Sequence, residues 1–561
     1  MGQVVSMNRQ MGHGLTAGHH KTPPVLIVGA GPVGLTMAAE LARYGIAVRL
    51  IDKAAQPTDK SRAVVVWGAT LELLDRVGCA DAFVAAGIQA KAAHLIANPS
   101  KPGSRLTICG QAIRIDFGLL DNHFPYALML PQSETERLLT AYLAGLGVSI
   151  ERSVELLHLR QDGAGDGTGE EVEAVLQHAD GRQEIVRHAW LIGCDGAHSS
   201  VRKLIGQRFA GHTFPTEWLM ADLTLDGLPT PPGEPALFFH ADGILALFPI
   251  GPDNLYRLAA NLGPALEEGL GKDVSLAEIQ ALISRRGPST LTATQSTWHA
   301  TFRINERQVE NYRSGRVFLV GDAAHIHSPA GGQGMNTGMQ DAENLAWKLA
   351  LTMRGAVAGD GLLASYDLER RATGLQALRV AGRMTALGLM KHPLSQGLRN
   401  RVARLVMRGA IVQRALARQL SGLTVCYRRS PLNGAQSLSR RLSWFSGAAR
   451  RPGPGERFPL VAHAGQTRGQ ALGQPRFHLV GRMMATEVEQ LSDRFPQLLH
   501  PGILTAPGGM TADGLWLLRP DGYVALATTA GNGAAIAAYL ATIAAPSATA
   551  ASELAAVSAT G

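Results

Sequence analysis

The sequence predicts an α/β protein: a parallel, helix-covered sheet, an antiparallel sheet set into it, and a smaller α/β unit near the end. Three observations predict this. A continuous apolar strand at Val25-Leu26-Ile27-Val28 runs through a glycine-rich turn into a helix and a second strand. Between Phe209 and Trp298 the pattern changes to strands flanking Asp242-Gly243, a strong hairpin dipeptide. Strand, loop and helix then return, and a Pro-, Gly-, Ser- and Arg-rich stretch separates them from a further α/β pattern.

At 561 residues the chain exceeds a single simple core. Residues 1–22 carry no apolar stretch of the signal-peptide kind and read as a disordered leader. Residues 23–208 read as the first part of a nucleotide-binding domain. It opens with the 25–28 strand, a helix over 35–44 closed by Gly45, and a strand over 46–51. Residues 209–300 read as the inserted sheet, with Trp218 to Leu225, Leu237 to His240 and Ile244 to Phe248 as strands. Residues 301–425 return to the first domain and end in a long helical region. Residues 426–457 read as a linker, 458–543 as the smaller α/β unit, and 544–561, rich in Ala, Ser and Thr, as a disordered tail. No internal repeat is visible.

Composition narrows the class. The formal charge is +8, 46% of residues are hydrophobic and 17% charged, as in a globular protein. The basic residues are scattered, densest at 399–418 and 428–451, with no nucleic-acid-binding motif beside them. That argues against a nucleic-acid partner and reads 399–418 as a solvated helix face. No apolar run reaches the roughly 20 residues of a membrane span. The cysteines, Cys79, Cys109, Cys194 and Cys426, show no CxxC pair. Neither a metal site nor a redox dithiol is expected, and a reducing cytoplasm is the default location.

Three motifs carry the chemistry. The first is Gly29-Ala30-Gly31-Pro32-Val33-Gly34, a GxGxxG between strand and helix. Gly29 allows the tight turn, Gly31 lets backbone approach a pyrophosphate, and Gly34 lets helix and strand pack closely. Free N–H groups at the helix start favour the negative charge. Asp52 ends the second strand at the spacing where an acid meets a ribose hydroxyl. This motif alone does not choose between FAD and NAD. The second, Gly193-Cys194-Asp195-Gly196-Ala197-His198-Ser199-Ser200-Val201-Arg202, follows the apolar Trp190-Leu191-Ile192. The third is Gly321-Asp322-Ala323-Ala324-His325, running into Ser328-Pro329-Ala330-Gly331-Gly332-Gln333-Gly334-Met335-Asn336 and a helix. Asp322 could accept hydrogen bonds from polyol hydroxyls, and the Gly-rich loop could hold an anionic ring edge. Taken singly, each is also compatible with an ordinary glycine turn after a strand.

In their order the three motifs resemble the group A flavoprotein monooxygenases, the family of p-hydroxybenzoate and phenol hydroxylases. Gly29 to Gly34 is similar to the ADP-binding fingerprint. Asp195-Gly196 with Arg202 is similar to the motif linked to FAD and NAD(P)H, and Gly321-Asp322 to the one whose Asp binds the ribityl chain. Ser61-Arg62-Ala63, Gln132 with Glu136-Arg137, and the 363–371 stretch support the resemblance, which covers roughly 24–400. Leu517-Leu518-Arg519-Pro520-Asp521-Gly522 is similar to the thioredoxin-like domain of the phenol, pentachlorophenol and aromatic polyketide hydroxylases. With no cysteine from Arg451 to Gly561, that domain is expected to be structural. Ala69 departs from relatives that carry Arg there.

The resemblance implies FAD, NADPH or NADH as co-substrate, O2, and hydroxylation of a phenolic or polyketide ring through a C4a-hydroperoxyflavin. It implies Gly29, Gly31, Pro32, Gly34, Asp52, Arg62, Gln132, Asp195, Gly196, Arg202, Gly321 and Asp322 around the cofactor. The resemblance places Gly331, Gly332, Gly334, Met335 and Asn336 around the isoalloxazine, with Pro329 beside its reactive face. His325 and His327 adjoin that loop and are candidates for polarising a substrate hydroxyl, or else loop residues bonded to backbone. His240 and Tyr256 are weaker pocket candidates. The expected partner is a small aromatic molecule, and a homodimer stays open. A reductase or oxidase of the same superfamily, or a flavin-stabilised ligand-sequestering protein, is the alternative. A halogenase is disfavoured because the sequence lacks that group's Trp-x-Trp-x-Ile-Pro motif.

Overall fold

The structure is a computed structural model that describes residues 25–57, 63–97, 113–161, 171–264, 274–390, 392–407, 409–435, 451–459, 474–504 and 514–545. The expected leader lies outside these residues, as does the expected tail apart from Ala544 and Ala545.

The apolar strand Val25–Val28 sits inside a six-stranded sheet. Its order is Arg313–Ser314, Val317–Leu319, Leu191–Gly193, Val25–Val28, Val48–Asp52, Ile150–Arg152. Five strands are parallel and the Arg313–Ser314 edge is antiparallel. Leu26, Ile27, Leu50, Leu191 and Phe318 are fully buried. Each contributes about 1.5–3 kcal/mol by burial. Helices Pro32–Arg43 and Gly334–Met353 pack against each other in the same core. The first has Pro32 in its opening turn, where a missing N–H costs nothing.

The second sheet is larger than the insert the sequence suggests. Its order is His325–Ile326, Thr292–Val309, Phe209–Asp226, Leu255–Pro264, Gly243–Pro249, Ala236–His240, Ala92–Ala97, Ile113–Asp116. Three of these strands come from outside 209–300, and Ala236–His240 runs parallel to Ala92–Ala97. The hairpin forms at Asp242-Gly243, with His240 opposite Gly243 and Gly243 at φ +139. Leu219, Ala221 and Leu223 alternate onto one face, with helix Leu276–Arg286 over them. Tyr256 packs in that core, so it does not belong to a pocket on the other face.

The C-terminal unit is a four-stranded mixed sheet ordered Leu499–Leu504, Phe477–Gly481, Gly514–Leu518, Val524–Thr529, with helices Ala485–Arg494 and Gly533–Ile543. The segment expected to be a linker is packed at its described ends. The Gly434 and Gly455 N–H groups donate to Ala525 O and Val524 O at 2.8 Å, and Tyr539 Oη to Leu432 O at 2.8 Å. Among the described residues, no helix is long and apolar enough to cross a membrane, and no cluster of three or more His, Cys, Asp or Glu could hold a metal.

Candidate functional site

The strand order brings the three motifs together. Val28, Gly193 and Leu319 lie in register on adjacent parallel strands. The turns that follow, Gly29 to Gly31, Cys194 to Gly196 and Gly321-Asp322, therefore meet along one carboxyl edge of the sheet. Ligands of open α/β sheets bind in the crevice outside that edge.

Each turn shows why its residues are there. Gly29 is at φ +102, and a Cβ on it would lie 2.5 Å from Cys194 O. A Cβ on Gly34 would lie 1.9 Å from Gly29 O. Gly31 differs: nothing lies within 4 Å of its Cβ position. The helix that starts there has no acid in its first turn and no side-chain cap. That leaves open space in front of free N–H groups, the shape an anionic pyrophosphate fits. Asp52 organises the same turn, accepting from Ala30 N at 2.7 Å and Ala54 N at 2.8 Å.

Asp195 accepts from Ser200 N (2.7 Å) and Val201 N (3.1 Å) through Oδ2. Its Oδ1 is buried with no partner among the described residues. Burial raises its pKa, against those hydrogen bonds. Arg202 is buried, donates to Ala323 O (3.0 Å) and Ala197 O (2.7 Å), and stacks on Phe209 with 3.9 Å to the ring centroid. It thus ties the second motif to the third. Asp322 is exposed at the crevice. Gly321 and Gly338 approach so closely that added Cβ atoms would meet Val33 at 2.9 and 2.7 Å.

Behind Gly321 lies a buried ion-pair cluster. The fully buried Asp341 carboxylate accepts from Gly321 N (3.1 Å), His325 Nε2 (2.7 Å) and Arg370 Nε (2.5 Å). Burial opposes ionisation of Asp341, but Arg370 and His325 outweigh it and hold its pKa below the usual carboxylate value. Arg370 also donates to Tyr427 Oη and Thr337 O. The adjacent Glu369 receives Lys348 at 2.8 Å and both terminal nitrogens of Arg519 at 2.7 and 2.9 Å. The C-terminal unit is thereby bonded into the helices behind the crevice.

The loop after His325 is clamped from a distant segment. Trp67 N donates to Asn336 Oδ1 (2.9 Å) and Trp67 Nε1 to Gly331 O (2.9 Å), while Asn336 Nδ2 donates to Val65 O and Gly332 O, each 2.8 Å. Gly331 and Gly332 have φ of +88 and +62, a conformation that favours glycine. Pro329 is exposed, and Gly334 and Met335 are half-buried. Asn336 spends its amide on the loop, which makes it a clamp. Trp67 was not singled out in the sequence, because its partners lie 264 and 269 residues away. Gln132 donates to Glu136 Oε1 at 2.9 Å and pairs backbone with Ala63. Arg62 and Ser61 lie outside the described residues. Ala69 is buried and donates to Ser421 O. Its Cβ lies 3.3 Å from the position a Cβ on Gly422 would take.

The two loop histidines differ. His325 is 1% exposed, with Nε2 engaged by Asp341 and its ring stacked between Tyr312 and His327. His327 donates Nδ1–H to Ser328 O at 2.9 Å, which leaves Nε2 as a buried acceptor without a partner among the described residues. Burial pushes its pKa down to about 4, so the ring is neutral at pH 7. His240 caps its own hairpin, accepting from Asp242 N.

The face of the large sheet opposite helix Leu276–Arg286 is aromatic. Trp218 and Phe302 pair across adjacent strands, Phe239 approaches the long helix Gly361–Gly388 at Gly388, and Phe248 packs with the Trp67 cluster. Trp218 is 7% exposed and its Nε1 has no acceptor among the described residues.

Comparison with known proteins follows this geometry. The family model described as FAD binding domain matches residues 22–381. The chain is 36% identical over 550 residues to 6-methylpretetramide 4-monooxygenase of Streptomyces rimosus, covering 90% of each chain. It is 33% identical to 12-dehydrotetracycline 5-monooxygenase/anhydrotetracycline 6-monooxygenase of Streptomyces rimosus subsp. rimosus, covering 89% of this chain and 94% of that one. Among solved structures, an anhydrotetracycline hydroxylase from Streptomyces rimosus superposes with a TM-score of 0.73 at 30% identity, covering 94% of this chain and 99% of that one.

Proposed function

The chain belongs to the FAD-binding-domain family of flavoprotein monooxygenases, and from that premise we propose that it hydroxylates a polycyclic phenol of the polyketide type. The cofactor is FAD, which when bound takes reducing equivalents from NAD(P)H and activates O2. The residues on the carboxyl edge suit that group: open space before Gly31, the orphaned Asp195 Oδ1 and the exposed Asp322. The helix start at Gly31 and Pro32 would receive the pyrophosphate, Asp52 a ribose hydroxyl, Asp322 the ribityl chain, and the 331–336 loop the ring.

The protein's own part is to hold the aromatic ring, orient its hydroxyl and exclude water. The observation that carries the substrate class is the aromatic face of the large sheet with the buried indole N–H of Trp218, which has no acceptor among the described residues. Trp and Phe surfaces suit a large flat ring system, and an unpaired indole N–H in such a place calls for a carbonyl or phenolate oxygen. We assign His327 Nε2 as the neutral acceptor nearest the loop. We assign His325 a positioning role, because Asp341 already engages it. The C-terminal unit, in our reading a thioredoxin-like domain, is structural: its contribution is the Arg519–Glu369 bond.

The test is a product-resolved screen of phenols and polycyclic polyketide phenols with purified yellow protein and NADPH or NADH. Substrate-stimulated consumption with a hydroxylated product is expected. A rate indifferent to every phenol, with stoichiometric H2O2, overturns the reading in favour of an oxidase.

A further inference from the structure

We propose that helices Pro393–Val406 and Ala410–Leu420 form a docking surface for a lipid bilayer bearing anionic headgroups. The proposal does not depend on the substrate assigned above.

The first observation is an inverted helix. Leu394, Leu398, Val402, Leu405 and Val406 recur at helical spacing on one stripe, and that stripe faces outward. Leu394, Leu398 and Leu405 are 78%, 66% and 72% exposed, and Ile411, on the next helix, is 86% exposed. The side turned toward the protein is polar or small: among the described residues Ser395, Arg399, Asn400 and Ala403 are the half-buried positions. Arg399 donates to Leu387 O at 2.7 Å and lies over the Phe239 ring at 5.3 Å. A helix serving the core would be turned the other way. Contiguous exposed apolar surface of this kind marks an interaction site.

The second observation is charge, and it selects the occupant. From residue 371 to 455 the sequence contains sixteen Lys and Arg and not one Asp or Glu. Arg401, exposed beside the stripe, and Arg414, exposed on the next helix, belong to this run. A two-fold contact between copies of this chain centred on the stripe would set the same basic patch against itself, since such an interface is self-complementary. Like charges in contact make that unfavourable. The cores of protein–protein interfaces are enriched in Tyr, Trp, Phe and Met, whereas the outward stripe holds only Leu and Val. An aliphatic arc flanked by arginines is the pattern of a helix lying in an anionic membrane interface. Arg399 over Phe239 ties this surface to the aromatic face of the large sheet. Docking would therefore hold that sheet close to the lipid.

The test uses the full-length holoprotein with vesicles of phosphatidylcholine alone or mixed with phosphatidylglycerol, read by sedimentation. The protein is expected to sediment with the mixed vesicles, to stay in solution with pure phosphatidylcholine, and to be released by salt. The triple variant Leu394→Gln/Leu398→Gln/Leu405→Gln is expected to lose vesicle binding with melting temperature and NAD(P)H oxidation in solution unchanged. Arg401→Gln should weaken binding part-way. Wild-type protein remaining in solution with both vesicle types overturns the proposal, as does binding that the triple variant leaves intact. Light scattering that shows a dimer dissolved by the triple variant would instead assign the surface to a second copy. Tight capture of an acidic carrier protein without vesicle binding would assign it to a protein partner. Either result also overturns the proposal.

Discussion

Replacing Asp341 by Asn tests how the flavin crevice is built. The wild-type carboxylate serves two sides at once: Oδ1 meets Arg370, and Oδ2 meets Gly321 N and His325 Nε2. An amide has one oxygen. If that oxygen faces Gly321 and His325, its NH2 opposes the Arg370 guanidinium. If it faces Arg370, its NH2 opposes the Gly321 N–H, and His325 must move its proton to a nitrogen that now has no partner. Breaking a fully buried pair costs about 3–5 kcal/mol. Loss of the Gly321 anchor alone is worth about 1 kcal/mol, roughly fivefold in FAD affinity. The assay pairs thermal melting of the apoprotein with an FAD titration followed by flavin fluorescence. Because the folded pKa of Asp341 is depressed, its stabilisation is present above the unfolded value near 4 and lost as pH falls through the lower folded value. The Asn variant should lack that acid-dependent loss. A variant with unchanged melting and unchanged FAD affinity would refute the reasoning. A lower melting temperature with unchanged affinity would reduce Asp341 to a core ion pair.

Four further outcomes are expected. Asp322→Ala should weaken FAD binding ten- to a hundredfold, about 1.5–3 kcal/mol, with the fold intact by circular dichroism. Gly34→Ala should abolish yellow holoprotein, since its Cβ would sit 1.9 Å from Gly29 O, read from the flavin absorbance after purification. Trp218→Phe should raise the KM for a phenol severalfold, about 1 kcal/mol, with FAD affinity unchanged; an unchanged KM would remove Trp218 from recognition. His478 is buried, with neither ring nitrogen partnered among the described residues, stacked on His500 and near Arg476. Burial, then His500 and Arg476, push its pKa down to about 3, so stability should be lost as pH falls below the unfolded value near 6.5, and His478→Leu should lose about 2 kcal/mol less between pH 6.5 and 5 in denaturant melts.

The parts of the crevice that repeat a local rule were readable in the sequence. Gly29, Gly31 and Gly34 declare themselves by spacing, and the apolar runs before Asp195 and Asp322 mark buried parallel strands. What could not be read was set by long-range pairing. Ala92–Ala97 carries no sign that it will lie parallel to Ala236–His240, so the sequence alone predicts an antiparallel sheet inserted over 209–300. Trp67 has no local motif, yet it fixes Gly331 and Asn336. The Gly- and Arg-rich stretch reads as a linker, and composition does not reveal backbone bonds at its described ends such as Gly455 N to Val524 O. His325 looked available for substrate because its partner Asp341 sits sixteen residues on, inside the next helix. Residues 399–418 read as a solvated helix face from the sequence because their arginines are conspicuous. The exposure of Leu394 and Leu405 in the fold shows which side meets solvent.

The most direct test of the account is isotopic. The purified holoprotein, given NAD(P)H, a polycyclic phenol that stimulates its consumption, and ¹⁸O2, should yield a product carrying one ¹⁸O atom, with the other reduced to water. Product without ¹⁸O, or H2O2 formed in step with NAD(P)H while the phenol is recovered unchanged, would contradict it.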